Sequence, residues 1–282
     1  MKILLFGATG NLGHAIANEL KQKGYEITAI VRNKIKVGKL ESITQKIILA
    51  DVTIPSDLVN ICNGFDIVIS SLGKSVSPND KSEPTFNDID YIANSNILNE
   101  AKKSNVKKFI YISAFHSEHY LHLEYFKVHH AFSENLISSG IDYSIIKPPA
   151  IFSAFMDMIE MAKKGQLVNI GLGDKKTNPI YEGDLAKIVV NSINETNSII
   201  EAGGKTIYTR RQLNEIVQQT INPGKPIKNV PLIVFRCLLP ILKIFNKNMF
   251  NKFAFFIEVL QHDTIATQLG DMTFEEYLRM RK

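Results

Sequence analysis

The 282-residue sequence predicts an α/β fold, a doubly wound parallel sheet covered by helices, with a smaller and mostly helical region after it. Three observations carry this. Short apolar runs rich in β-branched residues alternate with longer amphipathic segments through the first half of the chain. A glycine-rich turn directly follows the first of these runs, and the alternation decays after Lys147-Pro148-Pro149.

Strands are expected at residues 2–6, 25–31, 46–50, 66–70, 107–113 and 142–147, each short and mostly apolar, as strands buried on both faces are. A helix over 11–23 sets Leu12, Ala15, Ile16 and Leu20 on one face and stops at Gly24. Longer helices are expected from about Phe86 to Ser104 and from about Leu123 to Ser138, the second stopped by Gly140. Beyond residue 150 the pattern predicts a helix, short strands near 167–170 and 178–181, and several further helices. Asp184, just ahead of Leu185-Ala186, marks a helix start.

The turn after the first strand reads Gly7-Ala8-Thr9-Gly10-Asn11-Leu12-Gly13. The first glycine suits a tight turn, the second lets a pyrophosphate approach the backbone, and the third lets helix and strand pack closely. Strand, loop, helix and second strand come in that order within about 30 residues, the context that gives this motif its meaning. The helix N-terminus then faces an anion. The fold class is therefore a Rossmann-type doubly wound sheet, with Gly7, Thr9, Gly10, Asn11, Leu12 and Gly13 expected to hold a dinucleotide. Residues 1–150 form the expected binding domain, 178–195 return to it, and 151–282 form the substrate-side region.

At the end of the second strand an acid would bind a ribose 2′-hydroxyl, whereas an arginine accommodates a 2′-phosphate. The chain has Val31-Arg32-Asn33-Lys34 there, so NADP(H) is expected ahead of NAD(H), unless Arg32 is only a solvated charge. Asp51-Val52 follows the third strand, where the carboxyl suits either an adenine amino group or a helix start.

Composition excludes several function classes. The net charge of +5 is spread along the chain without the basic helix or basic-aromatic alternation of a nucleic-acid binder. Cys62 and Cys237 have no metal-ligand spacing and are expected to be buried thiols in a reducing compartment. With a strand starting at Lys2 there is no room for a cleaved leader, and a cytoplasmic location is expected. The apolar stretch Val230 to Phe245 is broken by Arg236, Pro240 and Lys243 and is too short to span a bilayer. A helix packed on the core or a greasy lid is preferred there over a membrane-surface contact.

Taken in order, the glycine loop, Ser70-Ser71-Leu72-Gly73, Asp90-Tyr91-Ile92-Ala93-Asn94, residues 106–113, residues 139–143 and Asn178-Pro179-Ile180-Tyr181-Glu182-Gly183-Asp184-Leu185-Ala186 resemble the short-chain dehydrogenase/reductase superfamily. The likeness is closest to its atypical branch of NmrA-like NAD(P)-binding proteins. It implies a cofactor over the carboxyl ends of the strands, with Ser71, Leu72 and Gly73 beside the ribose and Pro148 near the nicotinamide. The family usually has Arg-Pro where this chain has Lys147-Pro148, which keeps the charge and loses the planar fork.

Classical members of the superfamily use a serine to polarise a carbonyl and a tyrosine activated by a lysine four residues on. Ser113 and Tyr125 fit the first two places, but His129 stands where the lysine is expected, and a neutral imidazole does not hold a phenolate. Ser113, Tyr125 and His129 are thus the candidate catalytic residues of a modified site. Although five histidines fall between His116 and His130, their spacing lacks zinc geometry and no metal is expected. The expected function is an NAD(P)H-dependent oxidoreductase moving a hydride to or from a small, fairly apolar molecule, with the segment Phe152 to Met158 expected to border that substrate. The alternatives are a non-catalytic NADP(H)-binding redox sensor or regulatory protein of NmrA type, and an assembly factor; a monomer or homodimer is expected.

Overall fold

The computed structural model describes residues 1–33, 37–44 and 46–281, so Lys34, a near neighbour of Arg32 in sequence, lies outside the described residues. The chain forms two compact units, the first comprising Met1–Lys74, Pro84–Lys147 and Glu182–Ile200, the second Ser75–Glu83, Pro148–Tyr181 and the chain from Glu201 onward. Ser75–Glu83 therefore belongs to the second unit although it lies in the N-terminal half.

The first unit runs β1 (Lys2–Phe6), α1 (Asn11–Gln22), β2 (Glu26–Val31), α2 (Gly38–Glu41), β3 (Ile47–Leu49), β4 (Ile67–Ser70), α3 (Asn94–Lys103), β5 (Lys108–Ile112), α4 (Glu124–Ile137) and β6 (Asp142–Lys147). The chain continues in the second unit with α5 (Met156–Lys163), β7 (Val168–Ile170) and β8 (Lys176–Thr177). It returns to the first for α6 (Glu182–Asn191) and the start of β9 (Ser198–Gly203). The rest of the second unit holds β10 (Tyr208–Thr209), α7 (Arg210–Ile221), β11 (Lys228–Val230), α8 (Leu232–Phe245), α9 (Lys247–Val259), β12 (Thr267–Gln268) and α10 (Phe274–Arg279).

The sheet of the first unit has the order β9-β6-β5-β4-β1-β2-β3. β1 pairs in parallel with both β2 and β4, and the pairs β2–β3, β4–β5 and β5–β6 are parallel as well. The winding reverses between β1 and β4, which opens a crevice at their carboxyl ends where ligands of open α/β sheets bind. Burial on both faces explains the strands' composition: Ile3, Leu4, Leu5 and Phe6 are all buried, and Leu4, Phe6, Val68, Phe109, Tyr111 and Phe132 share one core. The expected Rossmann-type architecture is what the structure shows.

Two expected elements differ. The segment 178–181 is not a strand, because Pro179 cannot donate to a ladder; β8 ends at Thr177, and Ile180 makes an isolated bridge to Ile151. The helix expected over 86–104 begins as a π-helix over Asn87–Ala93 and becomes α3 only at Asn94. The Asn94 side-chain amide donates to the Ile89 and Asp90 carbonyls, satisfying acceptors at the junction.

The second unit has its own core of Phe152, Ile159, Leu213, Val217, Phe274 and Tyr277, so Phe152, expected beside a substrate, is a core residue. Lys252 fastens the segment Ser75–Glu83 by donating to the Ser77 and Asp80 carbonyls at 2.9 and 2.8 Å. Most of the apolar stretch 230–245 forms α8, and none of the helix's residues is buried, so of the two preferred readings, a helix packed on the core or a lid, the first is corrected. The helix rests on α9 through the stacked rings of Phe235 and Phe253 and the Lys243 ammonium over Phe250. The expectation of two buried thiols fails for the same reason: Cys237 on α8 is exposed, and only Cys62 is buried, its pKa pushed up to about 12 by that burial.

Asn178 is the polar keystone of the second unit. Fully buried, it donates to the Gly204 and Ala266 carbonyls at 3.3 and 2.8 Å and accepts from the Ala266 N–H at 2.9 Å. Asn178→Ala leaves these backbone groups unsatisfied and is expected to lower the unfolding free energy by about 3 kcal/mol, measurable by urea denaturation.

Candidate dinucleotide site and the polar cluster beside it

The glycine loop is built by close contact. Gly7 has φ +81°, and a Cβ there would lie 2.8 Å from the Ser71 carbonyl oxygen. A Cβ on Gly13 would lie 2.1 Å from the Gly7 oxygen, so α1 seats on the loop only because residue 13 has no side chain. Gly10 differs from both: a Cβ there would have the Gly7 oxygen as its nearest neighbour, at 3.4 Å, and the residue is exposed. Its missing side chain leaves room for a ligand.

Gly10 is also the N-cap of α1, with no side-chain cap and no acid in the first turn. The leading N–H groups of a helix carry partial positive charge, and here no first-turn carboxylate competes for them. Thr9 and Asn11 are exposed beside Gly10, while Leu12 points into the core. The residues present fit a dinucleotide pyrophosphate.

The strip after β4 comes to this loop through Ser71, whose hydroxyl donates to the Phe6 carbonyl at 2.9 Å and whose N–H donates to the same oxygen at 3.1 Å. Leu72 packs on the core, and Gly73 follows at the surface. Arg32 follows β2 and is exposed. Asp51 closes a local turn, accepting from the Thr53 N–H at 3.0 Å and the Thr53 hydroxyl at 2.7 Å. Partial burial works to raise its carboxyl, but these bonds and the charge of Arg32 together hold it below its ordinary value. Val52 packs against the sheet core. Pro148 opens a stretch of the second unit.

The candidate catalytic residues do not form a tyrosine–base pair. Tyr125 and His129 lie one turn apart on α4, but they meet as rings, edge to face, with centroids 4.6 Å apart. His129 Nδ1 bonds the Tyr111 hydroxyl at 2.6 Å, and Nε2 lies 3.5 Å from the Asp90 carboxyl. Burial lowers the His129 pKa to about 3, so the ring is neutral, one nitrogen donating and the other accepting. Burial also raises Asp90 well above the ordinary carboxylate range, and burial together with Asp90 raises both Tyr111 and Tyr125. The Tyr125 phenol therefore stays protonated.

Ser113 is engaged as well. The Ser133 hydroxyl donates to the His129 carbonyl at 2.8 Å, so its 3.0 Å contact with Ser113 takes the Ser113 proton. Ser113 thus ties β5 to α4 and does not present a donor for a carbonyl. Lys147, in place of the family's arginine, is paired with Glu118 at 3.0 Å.

Sequence reasoning missed the roles of Asp90 and Tyr111. Asp90 accepts the Lys74 N–H at 3.2 and 3.3 Å, and a Cβ on Gly73 would lie 3.4 Å from its Oδ1. One buried carboxyl thereby connects the loop after β4 to His129. A signal for it was present in the polar pair Asp90 and Asn94, four residues apart in a helix that otherwise buries Phe86, Ala93 and Ile97. Among the described residues no group of three His, Cys, Asp or Glu side chains stands placed to hold a metal ion.

Fold and site together define a dinucleotide-binding α/β protein. Residues 7–196 match the NAD(P)H-binding family, and the chain belongs to it. Its NAD(P)(H) cofactor and its likeness to atypical short-chain dehydrogenases/reductases stand on that match and on the fold. Over its whole length the chain is 22% identical to the photosystem II assembly factor Ycf39 of Trieres chinensis, covering 94% of that protein. The NADPH-dependent quinone oxidoreductase of Escherichia coli, solved with NADPH, has a TM-score of 0.70 at 20% identity over 99% of both chains. The triphenylmethane reductase of Citrobacter sp., solved with NADP(H), has a TM-score of 0.73 at 18% identity over 99% of this chain and 100% of that one. Among the described residues no helix is long and apolar enough to cross a membrane.

The buried pair has a pH signature. His129, held at about 3 against an ordinary 6.5, contributes stability that is present above the unfolded value and is lost as pH falls toward 3. Asp90, raised, acts in the opposite sense: its contribution is present at low pH and is lost as pH rises through its folded value. His129→Gln removes only the first effect. The stability advantage of the parent protein over this variant should grow by about 2 kcal/mol between pH 5 and 6.5, read by urea unfolding at both values. An unchanged gap would show that His129 titrates normally.

Proposed function

We propose that the chain is an NADP(H)-dependent oxidoreductase that moves a hydride to or from a small, fairly apolar organic molecule. The observation that carries this reading is the uncapped N-terminus of α1 behind an open Gly10, in a chain of the NAD(P)H-binding family. When bound, the nicotinamide supplies the redox chemistry. The chain supplies binding and orientation: Gly7, Gly10, Gly13 and the α1 N–H groups hold the pyrophosphate, with Thr9, Asn11 and Leu12 shaping the loop. Ser71, Leu72 and Gly73 border the ribose, and Asp51 and Val52 face the adenine.

Arg32 favours the 2′-phosphate, because it is exposed just past β2 and no acid stands at the strand's end. Tyr125 is the polar participant at the substrate. A phenol kept protonated by burial donates a hydrogen bond to a substrate oxygen and does not act as a base, which suits the reducing direction. Ser113 and His129 are positioning residues that fix α4, and Tyr125 with it. An apolar substrate accords with the quinone and triphenylmethane activities in the names of the two neighbours of like fold.

The absent lysine and the engaged hydroxyl of Ser113 support a second reading, a regulatory protein that binds NADP(H) without turning it over. A panel of quinones, enones and aldehydes with NADPH separates the two. Turnover supports the enzyme; tight NADPH binding with no oxidation across the panel supports the sensor. In the enzyme, Tyr125→Phe is expected to lower kcat by about a hundredfold with NADPH affinity unchanged, and equal turnover would remove Tyr125 from the mechanism. Arg32→Ala is expected to weaken NADPH about tenfold and leave NADH binding unchanged, by titration. Equal losses for both cofactors would withdraw the assignment of the 2′-phosphate to Arg32.

A further inference from the structure

We propose that the outer face of α8 docks the protein peripherally on a bilayer carrying anionic phospholipid. The helix is apolar almost throughout, yet none of its residues is buried. Its exposed members Ile233, Val234, Leu238, Ile241, Ile244 and Phe245 fall within an arc of about 140° at 100° per residue. Ile244 and Phe245, at 79% and 82% exposure, project furthest. Phe235 lies off this arc and stacks on Phe253 of α9, so the helix is held from behind and its apolar face points away from its support. A continuous apolar stripe of this kind on a folded protein marks an interaction surface.

The charges around the stripe select the occupant. Between Glu215 and Glu258 the sequence has no acid, and α8 itself carries Arg236 and Lys243, with Lys247 just beyond its end. At 100° per residue Arg236 and Lys243 fall about 60° and 80° beyond one border of the arc, Arg236 bonded to Gln261 and Lys243 over the Phe250 ring, so the flank behind the apolar face carries positive charge only, as the polar face of an interfacial helix does. A second copy would bring another acid-free, positively charged helix to this one, with no carboxylate to pair its cations. An anionic lipid surface answers both features at once, accepting the aliphatic and phenyl groups below its headgroups and the cations at them. The geometry is that of a helix lying in the interface.

The test uses the full chain and vesicles of phosphatidylcholine, alone or with phosphatidylglycerol. Co-sedimentation is expected with the anionic vesicles, to weaken as salt rises, and to be lower on phosphatidylcholine alone. The double variant Ile244→Ser, Phe245→Ser should bind anionic vesicles at least about tenfold more weakly with NADPH affinity unchanged; both side chains are too exposed to carry the fold. A fluorophore on the exposed Cys237 should shift to the blue on anionic vesicles. Absent sedimentation, undiminished binding by the double variant, or a dimer in light scattering that the double variant abolishes would each overturn the proposal, the last by assigning the face to a second copy.

Discussion

Everything at the carboxyl edge of the sheet depends on how closely three backbone segments approach at the end of β1. Gly7 can sit against Ser71, and Gly13 against Gly7, only because neither position has a side chain. That contact seats α1 directly over the end of the strand, and Ser71, bonded to Phe6, brings in the chain leaving β4. The parallel pairing of β1 with β4 places the reversal of winding at the same point. The site for a dinucleotide is thus a consequence of sheet order and of two missing side chains; Gly10, where an added Cβ would meet only the Gly7 oxygen, is the position whose open space is left for a ligand.

The second constraint is the neutral, buried chain of Asp90, His129 and Tyr111. A histidine in place of a lysine four residues after a tyrosine looks like a damaged acid–base pair, but the structure gives that histidine a different task. It bridges α4 to β5 through Tyr111 and to the loop after β4 through Asp90, whose carboxyl also takes the Lys74 N–H. A lysine there would place an ammonium in a fully buried environment beside Tyr111. It would face the Asp90 carboxyl as a buried ion pair, and desolvating two charges costs more than burying the neutral imidazole and the protonated acid.

The doubly wound sheet was legible in the sequence because strands buried on both faces must be short and apolar, and such runs, separated by amphipathic segments, have few other interpretations. The glycine loop was legible because its spacing reflects steric contacts close to it in sequence. What escaped was decided at long range. The widening of the helix at Asn87–Ala93 depends on Asn94, which also accepts the Ser70 hydroxyl from a neighbouring strand. Asp90 looked like part of a family segment, and only the fold shows it buried beneath Gly73 and Lys74. Ser113 had the right place at the end of a strand, but the direction of its hydroxyl was set by Ser133, twenty residues on in α4.

The apolar stretch 230–245 misled for a related reason. Hydrophobic periodicity reports that one face of a helix avoids water, and says nothing about whether that face is covered within the same chain. Here the covered side is supplied by α9, and it is the more modest of the two: a ring pair and a cation over a phenyl group. The larger apolar side, with Ile244 and Phe245 almost fully exposed, is left outward. A stripe so costly in water, on a helix whose opposite flank carries cations and no acid, is a surface whose chemistry is complete only against an apolar layer with anionic headgroups.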